Sequence, residues 1–453
     1  MKQANDRNDL TSGVVWKKLL VFLLPIAAGT IIQQLYNAVD GLIVGRFVGT
    51  GALAAVGGSS SQIINVLVGF FVAMTAGASV VIGQIFGAGR KEELNRAIGS
   101  AVAALAILGV LLGVFGLLAT PWLLRLLNTP EETVEGAALY LRIYFLGVPF
   151  VMILNMESSV LRALGDSFHP FLYMVAGCLL NILLDLVFVL AFGWGIAGVA
   201  IATVAAQLLN AALLTLQLAR GSESYRLELR CLRLKGVYLK NMMRLGVPSG
   251  LQSSMYSVSN MIIQVAVNSL GTLVVASWAM SGKTDGFYWA VSNAMGAAIT
   301  SFIAQNRGAG RMDRVKLCVR QGLILGFMVT AVLSALLMLF GIPLLRVLTP
   351  DEAVVEKTYE IMSYFVPFYV TWVPVEVLSA VMRGAGDAFY PVVIVGTGIC
   401  LFRVLWVVTV FAHFGTLLSL CLSYVASWTI TGIALIIYFR KGTWQTRRRL
   451  VDA

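Results

Sequence analysis

The chain has 453 residues, of which 58% are hydrophobic and only 12% charged, and its mean hydropathy is +0.85. These values exclude a soluble globule and disordered, coiled-coil, collagen-like and disulfide-stapled secreted chains, and they predict an all-α protein that crosses the membrane many times. The net charge of +11 requires no nucleic-acid partner, because an excess of Lys and Arg marks the cytoplasmic side of membrane proteins.

Twelve apolar stretches are long enough to span a bilayer, which takes about 20 residues per helix. The first stretch extends far past the core of a signal peptide, so it predicts a spanning helix and not a cleaved leader. The predicted spans lie near residues 17–45, 52–83, 97–119, 133–161, 169–192, 196–218, 242–270, 273–303, 318–340, 355–381, 389–412 and 416–439.

Basic residues are concentrated in every second loop of this arrangement. The outside loops hold little beyond Arg46, Arg125 and Arg346, whereas the inside segments hold clusters at residues 2–18, 90–96, 220–244, 307–320 and 440–449. Because Lys and Arg are enriched on the cytoplasmic side, we predict a multi-pass protein of the inner or plasma membrane with both termini cytoplasmic.

The chain also repeats itself at an offset of about 220 residues. The matching segments are 82–90 with 303–311, 162–170 with 383–391, 128–132 with 348–352, and Pro25 with Pro248. The repeat predicts two homologous six-helix bundles of one orientation, at 1–219 and 242–453, joined by the basic linker 220–241. Two such bundles facing a central cleft are typical of alternating-access transporters.

The repeated Gly-Ala-Gly-Arg and Arg-x-x-Gly-Asp motifs fall where helices end on the predicted cytoplasmic side. Glycine suits tight turns, and an Asp can cap the next helix while pairing with a nearby Arg, so we interpret both motifs as turns. The second motif also contains the Gly-x-Gly-Asp of intramembrane aspartyl proteases at 384–387. That enzyme needs a second aspartate at the same depth, which the pattern does not supply, so we expect no enzyme.

Polar side chains within spans are a stronger signal, because a charge at the bilayer centre costs about 2.5–3.5 kcal/mol. Asn181 and Asp185 share a face of the fifth helix at i,i+4 spacing, and Asp40 and Thr203 fall at a similar depth. Two adjacent buried carboxylates with an amide and a hydroxyl can share a proton or hold a hard cation such as Na⁺. The alternative is a static polar core that fixes helix packing.

Further candidates surround this set. On the first helix, Gln33, Tyr36, Asn37 and Asp40 share one face, and Glu157 lies within the fourth span. Pro25 removes a backbone hydrogen bond from the first helix and is the expected hinge.

The second bundle has no counterpart of the carboxylate set at the repeat positions of Asn181 and Asp185. It carries Lys283, Asp285, Glu376 and Arg403 within its spans instead. Since both signs are present, we expect mainly buried structural or gating pairs, with Glu376 the best candidate for contacting a cationic substrate.

At these residues the chain resembles the MATE family, the multidrug and toxic compound extrusion transporters. The segments that carry the resemblance are Asn181-Ile182-Leu183-Leu184-Asp185, the run Gly195 to Thr203, Pro25 with Asp40, and the turn Arg162 to Asp166. The resemblance implies export of organic compounds against inward H⁺ or Na⁺ flow, through a cation site at Asp40, Asn181, Asp185 and Thr203. It also implies that helix 1 bends at Pro25, and it makes Asn155 a candidate for an asparagine of the fourth helix.

One position departs from the family pattern. Eight residues after Pro248, where one branch of the family carries an acidic residue, this chain has Tyr256. A Na⁺ site of that type in the second bundle is therefore not expected, and coupling through the first bundle is favoured.

We accordingly predict a cation-coupled antiporter, monomeric and without a cofactor other than H⁺ or Na⁺. It would export small organic cations or amphiphiles across the bilayer and bind no nucleic acid. The alternatives are a lipid-linked precursor flippase of the same superfamily, which usually has fourteen helices, a membrane scaffold or receptor, and the protease.

Overall fold

A computed structural model describes residues 9–221, 225–446 and 450, which are almost entirely helical. The predicted basic residues Lys2, Arg7 and 447–449 lie outside this part of the chain. The long helices of the described residues are α1 Val15–Val48, α2 Thr50–Gly87, α3 Lys91–Leu126, α4 Glu131–Ala163, α5 Phe168–Ala191, α6 Gly195–Ala219, α7 Gly236–Asn268, α8 Thr272–Gly308, α9 Met312–Leu348, α10 Glu352–Thr371 with Val373–Gly384, α11 Phe389–Phe414 and α12 Leu417–Arg440.

Nine of the helices in the described ranges are long and apolar enough to cross a membrane, and the bent α10 would make ten. The other two, α7 and α8, are 33 and 37 residues long but carry more polar side chains. The all-α polytopic fold is thus confirmed, while the count of twelve spans stays a prediction.

The repeated motifs form matching turns in the two halves. Gly89 and Gly310 have φ of 72° and 74°, and Gly165 and Gly386 both have φ of 89°. Residues with a side chain rarely adopt this left-handed conformation, which explains the glycine at each of these positions. The turn interpretation of both motifs is therefore confirmed.

The two motif aspartates are held by different partners. Asp166 Oδ1 accepts from the backbone N–H groups of Phe168 and His169, both at 3.1 Å, and its Oδ2 lies 2.6 Å from His169 Nδ1. The predicted partner Arg162 instead donates to Ser159 Oγ at 3.3 Å. Asp387 accepts from the Tyr438 hydroxyl at 2.8 Å, so Asp166 stabilises its own turn whereas Asp387 joins its turn to α12.

Contacts divide the chain into two compact units that exchange parts of two helices. Unit 1 contains Ala28–Gly250, and unit 2 joins Leu10–Ala27 to the chain from Leu251 onward. The first part of α1 therefore packs with the second half of the sequence, and the first part of α7 packs with the first half. The predicted boundaries at 219 and 242 follow the sequence repeat and stay a prediction about homology, since packing follows a different division.

A proline lies two residues before each changeover. Pro25 precedes Ala27, and Pro248 precedes Gly250. A proline removes one backbone hydrogen bond of its helix and is a common site of bending. The expected hinge at Pro25 thus lies near the point where the packing of α1 changes, and it stays a prediction.

The segment before α1 is fastened to unit 2 by hydrogen bonds to its backbone. Arg314 donates to the carbonyl oxygens of Leu10, Ser12 and Gly13 at 3.1, 3.0 and 2.8 Å. Asn306 Nδ2 also donates to the Leu10 carbonyl at 3.1 Å, and Gln305 Oε1 accepts from the Leu10 N–H at 3.2 Å. Because these contacts are made to backbone atoms, they hold the segment in one register.

Replacing Arg314 with alanine is expected to release this segment from unit 2. Hydrogen bonds of a charged donor contribute about 1.5–3 kcal/mol each, and Arg314 makes several. Hydrogen exchange of the Leu10 N–H should rise by about tenfold or more. Arg320→Ala, on the exposed side of the same helix, is the matched control and should leave protection unchanged. Equal protection in wild type and Arg314→Ala would show that apolar packing alone holds the segment.

Candidate functional site

Two carboxylates meet inside unit 1. The side chains of Asp40 on α1 and Asp185 on α5 lie within hydrogen-bonding range of each other. Asp185 is fully buried, and both of its oxygens and Oδ1 of Asp40 have no donor among the described residues. Two acceptors facing each other need a proton or a cation between them, since two unpaired charges would be costly to bury.

Helices α5 and α6 run in opposite directions, and their polar residues lie at the same depths along the two helix axes. Val189 and Val199 belong to one apolar cluster, and Asp185 and Thr203 lie four residues, or one turn, from these valines on the same side. The predicted Asp185 and Thr203 are therefore neighbours in depth. Thr203 is buried and donates to the Val199 carbonyl at 3.0 Å.

Further polar residues lie on the same faces of α5 and α6, one or more turns farther from Val189 and Val199. Asn181 is one turn from Asp185, is 1% exposed, and has no partner for either amide atom within the described structure. Gln207 is one turn from Thr203, and Asn210 lies against Gly177, where a Cβ would overlap its amide. Oε1 of Gln207 and Oδ1 of Asn210 are also buried without a partner in this part of the chain. Such orphaned groups in a row are typically satisfied by ordered water.

An apolar cap covers the carboxylates toward the predicted outer side. It consists of Ile43, Val44, Ala52, Val189 and Val199. The backbone at the cap is wound as π-helix, with Gly49 N donating to Val44 O and Phe192 N to Val187 O, and these two segments touch. Turns of this kind are rare in proteins as a whole but are often found at functional sites. Here they begin four residues after Asp40 and two residues after Asp185.

Tyrosines complete the surroundings of the pair. Tyr36 lies among Asp40, Asp185 and Tyr144, so this side of α1 faces the site. Tyr140 and Tyr144 stack with ring centroids 6.2 Å apart, and Tyr144 is hydrogen-bonded to Gln207. Sequence reasoning missed Tyr140, Tyr144, Gln207 and Asn210. Their i,i+4 and i+7 spacing, on α4 and after Thr203 on α6, was the available signal.

For four predicted supporting residues the described structure shows no contact with the carboxylate pair, and their role stays a prediction. Gln33 and Asn37 are exposed, and Asn155 donates to the Val151 carbonyl of its own helix at 2.8 Å. Glu157 is buried beside Thr215, which is twelve residues after Thr203 on α6 and therefore about 18 Å along the helix from it. The structure thus brings together Asp40, Asp185 and Tyr36 with the levels of Asn181 and Thr203, and leaves Glu157 as a separate group.

In unit 2 the described side chains do not form the predicted pairs of opposite charge. Arg403 is 4% exposed, donates from Nε to Ser427 Oγ at 2.9 Å, and lies over the Tyr424 ring with its guanidinium carbon 3.9 Å from the centroid. Asp285 accepts from Ser281 at 3.4 Å and lies near the Tyr369 hydroxyl, while Lys283 is exposed. The pairing prediction was wrong for Arg403, because an aromatic face and a hydroxyl satisfy its buried guanidinium.

Glu376 faces a small cavity between α8, α9 and α10. Tyr288, Ser292, Thr330 and Trp372 are among its lining residues, and the space holds about one water or a small cation. A Cβ at Gly296 would overlap the Glu376 carboxylate, so this glycine makes room for it. Glu376 therefore lines a pocket within unit 2, and its contact with a cationic substrate stays a prediction.

Comparisons with known proteins agree with this architecture. The family model described as MatE matches residues 25–187 and, a second time, 248–409, so that the two matches begin at Pro25 and Pro248. The chain is 29% identical to Probable multidrug resistance protein YoeA of Bacillus subtilis, over 84% of this chain and 83% of the relative. It is 24% identical to Probable multidrug resistance protein NorM of Thermotoga maritima, over 95% and 93% of the two chains.

Solved structures show the same fold. A structure described as the outward-facing conformation of a multidrug resistance MATE family transporter of the MOP superfamily superposes with a TM-score of 0.89 at 22% identity, over 97% of this chain and 99% of that one. A MOP superfamily transporter from Pyrococcus furiosus Vc1, described as having a binding pocket of reverse polarity, superposes with a TM-score of 0.89 at 23% identity, with the same coverage.

Proposed function

The chain belongs to the MatE family, and from this premise we propose that it is a cation-coupled antiporter exporting organic, mostly cationic, compounds by alternating access. The observation that carries the proposal is the pair of the half-buried Asp40 and the fully buried Asp185, in which both Asp185 oxygens and Oδ1 of Asp40 lack donors in the described structure. The net charge of such a carboxylate pair changes when it binds or releases an ion. Coupling ion flow to transport requires a site whose charge changes in this way.

In this proposal the pair alternates between an empty and a loaded state. Loading with H⁺ or Na⁺ neutralises charge below the apolar cap, with Asn181 and Thr203 supporting the site. The empty state leaves like charges facing each other and favours a conformation in which water reaches them. Because an ion shifts a conformational equilibrium only through its different affinity for two states, this difference in charge burial is the source of coupling.

The available energy fits such a cycle. One charge moving down 100 mV supplies about 2.3 kcal/mol, which corresponds to a concentration ratio of roughly fifty for an uncharged exported compound. Export of a singly charged cation moves one charge against the same potential, so a one-for-one exchange of cations is driven by the concentration gradient of the coupling ion. Pro25, placed where α1 passes from one unit to the other, is the proposed hinge that carries the change of the site into helix packing.

The substrate class is proposed from charge and from the family. Relatives are named as multidrug resistance and export proteins, and an acidic, aromatic-lined interior suits amphiphilic cations. We further propose a monomer in the cell membrane with both termini cytoplasmic. The basic residues in alternate inside loops support that orientation.

Efflux of a fluorescent organic cation from pump-deficient cells tests the proposal. Cells with the wild-type chain should lose the dye faster than vector controls. Collapse of ΔpH, or removal of Na⁺, should stop the export and so identify the ion. Export that survives both treatments would overturn ion coupling. If no dye is exported while a lipid-linked precursor is flipped in proteoliposomes, the flippase alternative replaces the antiporter.

A further inference from the structure

Glu157 is a buried carboxyl group that the carboxylate pair does not use. It is 0% exposed and lies on α4, six residues before the helix ends at Ala163, or about 9 Å from the predicted cytoplasmic end. Its Oε1 is 2.7 Å from Thr215 Oγ1 on α6, and its Oε2 is buried with no partner among the described residues.

Counting hydrogens indicates the state of this carboxyl. Thr215 Oγ1 also lies 2.8 Å from the Ala211 carbonyl of its own helix, an arrangement in which a helical threonine ordinarily donates. One hydroxyl hydrogen cannot serve two acceptors at these distances. If it goes to Ala211, the hydrogen between Glu157 and Thr215 belongs to Glu157.

Asp166 in the same unit is a buried carboxyl group that has several hydrogen-bond partners. It has two backbone N–H donors at 3.1 Å and the His169 ring nitrogen at 2.6 Å. Glu157 has none of these. An ionised Glu157 would leave a charge with an orphaned oxygen away from water, whereas a neutral acid leaves only an unbonded carbonyl oxygen.

Charged groups around Glu157 offer no alternative partner. Arg162, the basic residue of the next turns of α4, donates to Ser159, which in turn donates to Thr75 of α2. From α6 the facing group is Thr215. Within the described ranges, no charged or titratable side chain of α2, α3, α5 or α6 interacts with the carboxyl.

We propose that Glu157 is a second proton-binding site of unit 1, a neutral acid donating to Thr215 that releases its proton when the packing of α4 on α6 opens. The site is distinct from the Asp40–Asp185 pair, about 18 Å away along α6. Its contribution to transport rests on the proposed antiport, but the protonation itself does not.

Infrared spectroscopy of the purified full-length chain in nanodiscs tests the protonation directly. At neutral pH the wild type should show a carbonyl band of a protonated carboxylic acid that disappears in Glu157→Gln. Thr215→Val removes the hydrogen-bond acceptor of Glu157, so it should shift this band. This variant provides the test if Glu157→Gln does not fold. Glu360→Gln, which removes an ion-paired glutamate of unit 2, is the matched control and should keep the band. A spectrum unchanged in both Glu157→Gln and Thr215→Val would overturn the proposal.

Transport provides the second readout. In proteoliposomes with dye efflux, the wild-type rate should vary by up to about tenfold per pH unit on the releasing side where Glu157 titrates. Glu157→Gln should flatten that dependence, because glutamine mimics the neutral acid at every pH. A pH profile identical to wild type would remove Glu157 from the transport cycle. If the wild type exports no dye under any gradient but the infrared band is present, the proposed function fails and the proton site stands.

Discussion

Asp185→Asn is expected to abolish ion-coupled efflux while the protein still folds and reaches the membrane. Asparagine keeps the shape of the side chain but cannot change charge, so the pair with Asp40 no longer distinguishes a loaded from an empty state. Coupling free energies of about 1–3 kcal/mol correspond to a loss of about 5- to 150-fold in coupled transport. Because the variant removes an unsatisfied buried charge, its thermal stability should equal or exceed that of the wild type.

Dye efflux at matched expression, together with thermal unfolding of the purified variant, checks this result. Asp313→Asn removes an exposed carboxylate of α9 and is the control that should export normally. Asp40→Asn should resemble Asp185→Asn. The double variant should be no worse than either single one, since residues that act as one site are not additive. Normal efflux by Asp185→Asn would make the cluster a static polar core.

Much of this site could be predicted because helical spacing determines which residues share a face. The i,i+4 spacing of Asn181 and Asp185 predicted their common side, and the rise per residue predicted that Thr203 lies at the level of Asp185. Both predictions depend on one helix or on two neighbours of opposite direction. The repeat likewise predicted the matching glycine turns, since the same motif needs the same backbone conformation.

Other features depend on packing that spacing does not determine. Glu157 was assigned to the cavity because it lies within a predicted span. Its side chain contacts Thr215 instead, and this contact is far from Asp185 along the helices. Arg403 found an aromatic face, an option that charge patterns do not contain. The exchange of the first parts of α1 and α7 between units needs knowledge of which helices touch, and the repeat alone indicates a simpler division at the linker.

Gly77→Ala tests whether the exchanged part of α7 is fixed by close helix contact. A Cβ at Gly77 would lie far inside van der Waals distance of Gly246 N and Met242 O, and a Cβ at Gly246 would lie 2.6 Å from Met74 O. The neighbouring atoms are backbone, so no flexible side chain can move aside. We expect the free energy of unfolding to fall by about 1–3 kcal/mol or more, with loss of transport.

The same substitution elsewhere on α2 provides a control of opposite sign. Gly69 lies eight residues earlier on the same helix, and a methyl group added there would have no neighbouring atom within 4 Å. Gly69→Ala should therefore stabilise by about 0.5–1 kcal/mol through helix propensity alone. Thermal unfolding in one detergent compares the two. Equal stabilisation by both would mean that α2 and α7 do not approach closely in the membrane. Opposite signs would show that the first part of α7 is held against α2 by close backbone contact at Gly77 and Gly246.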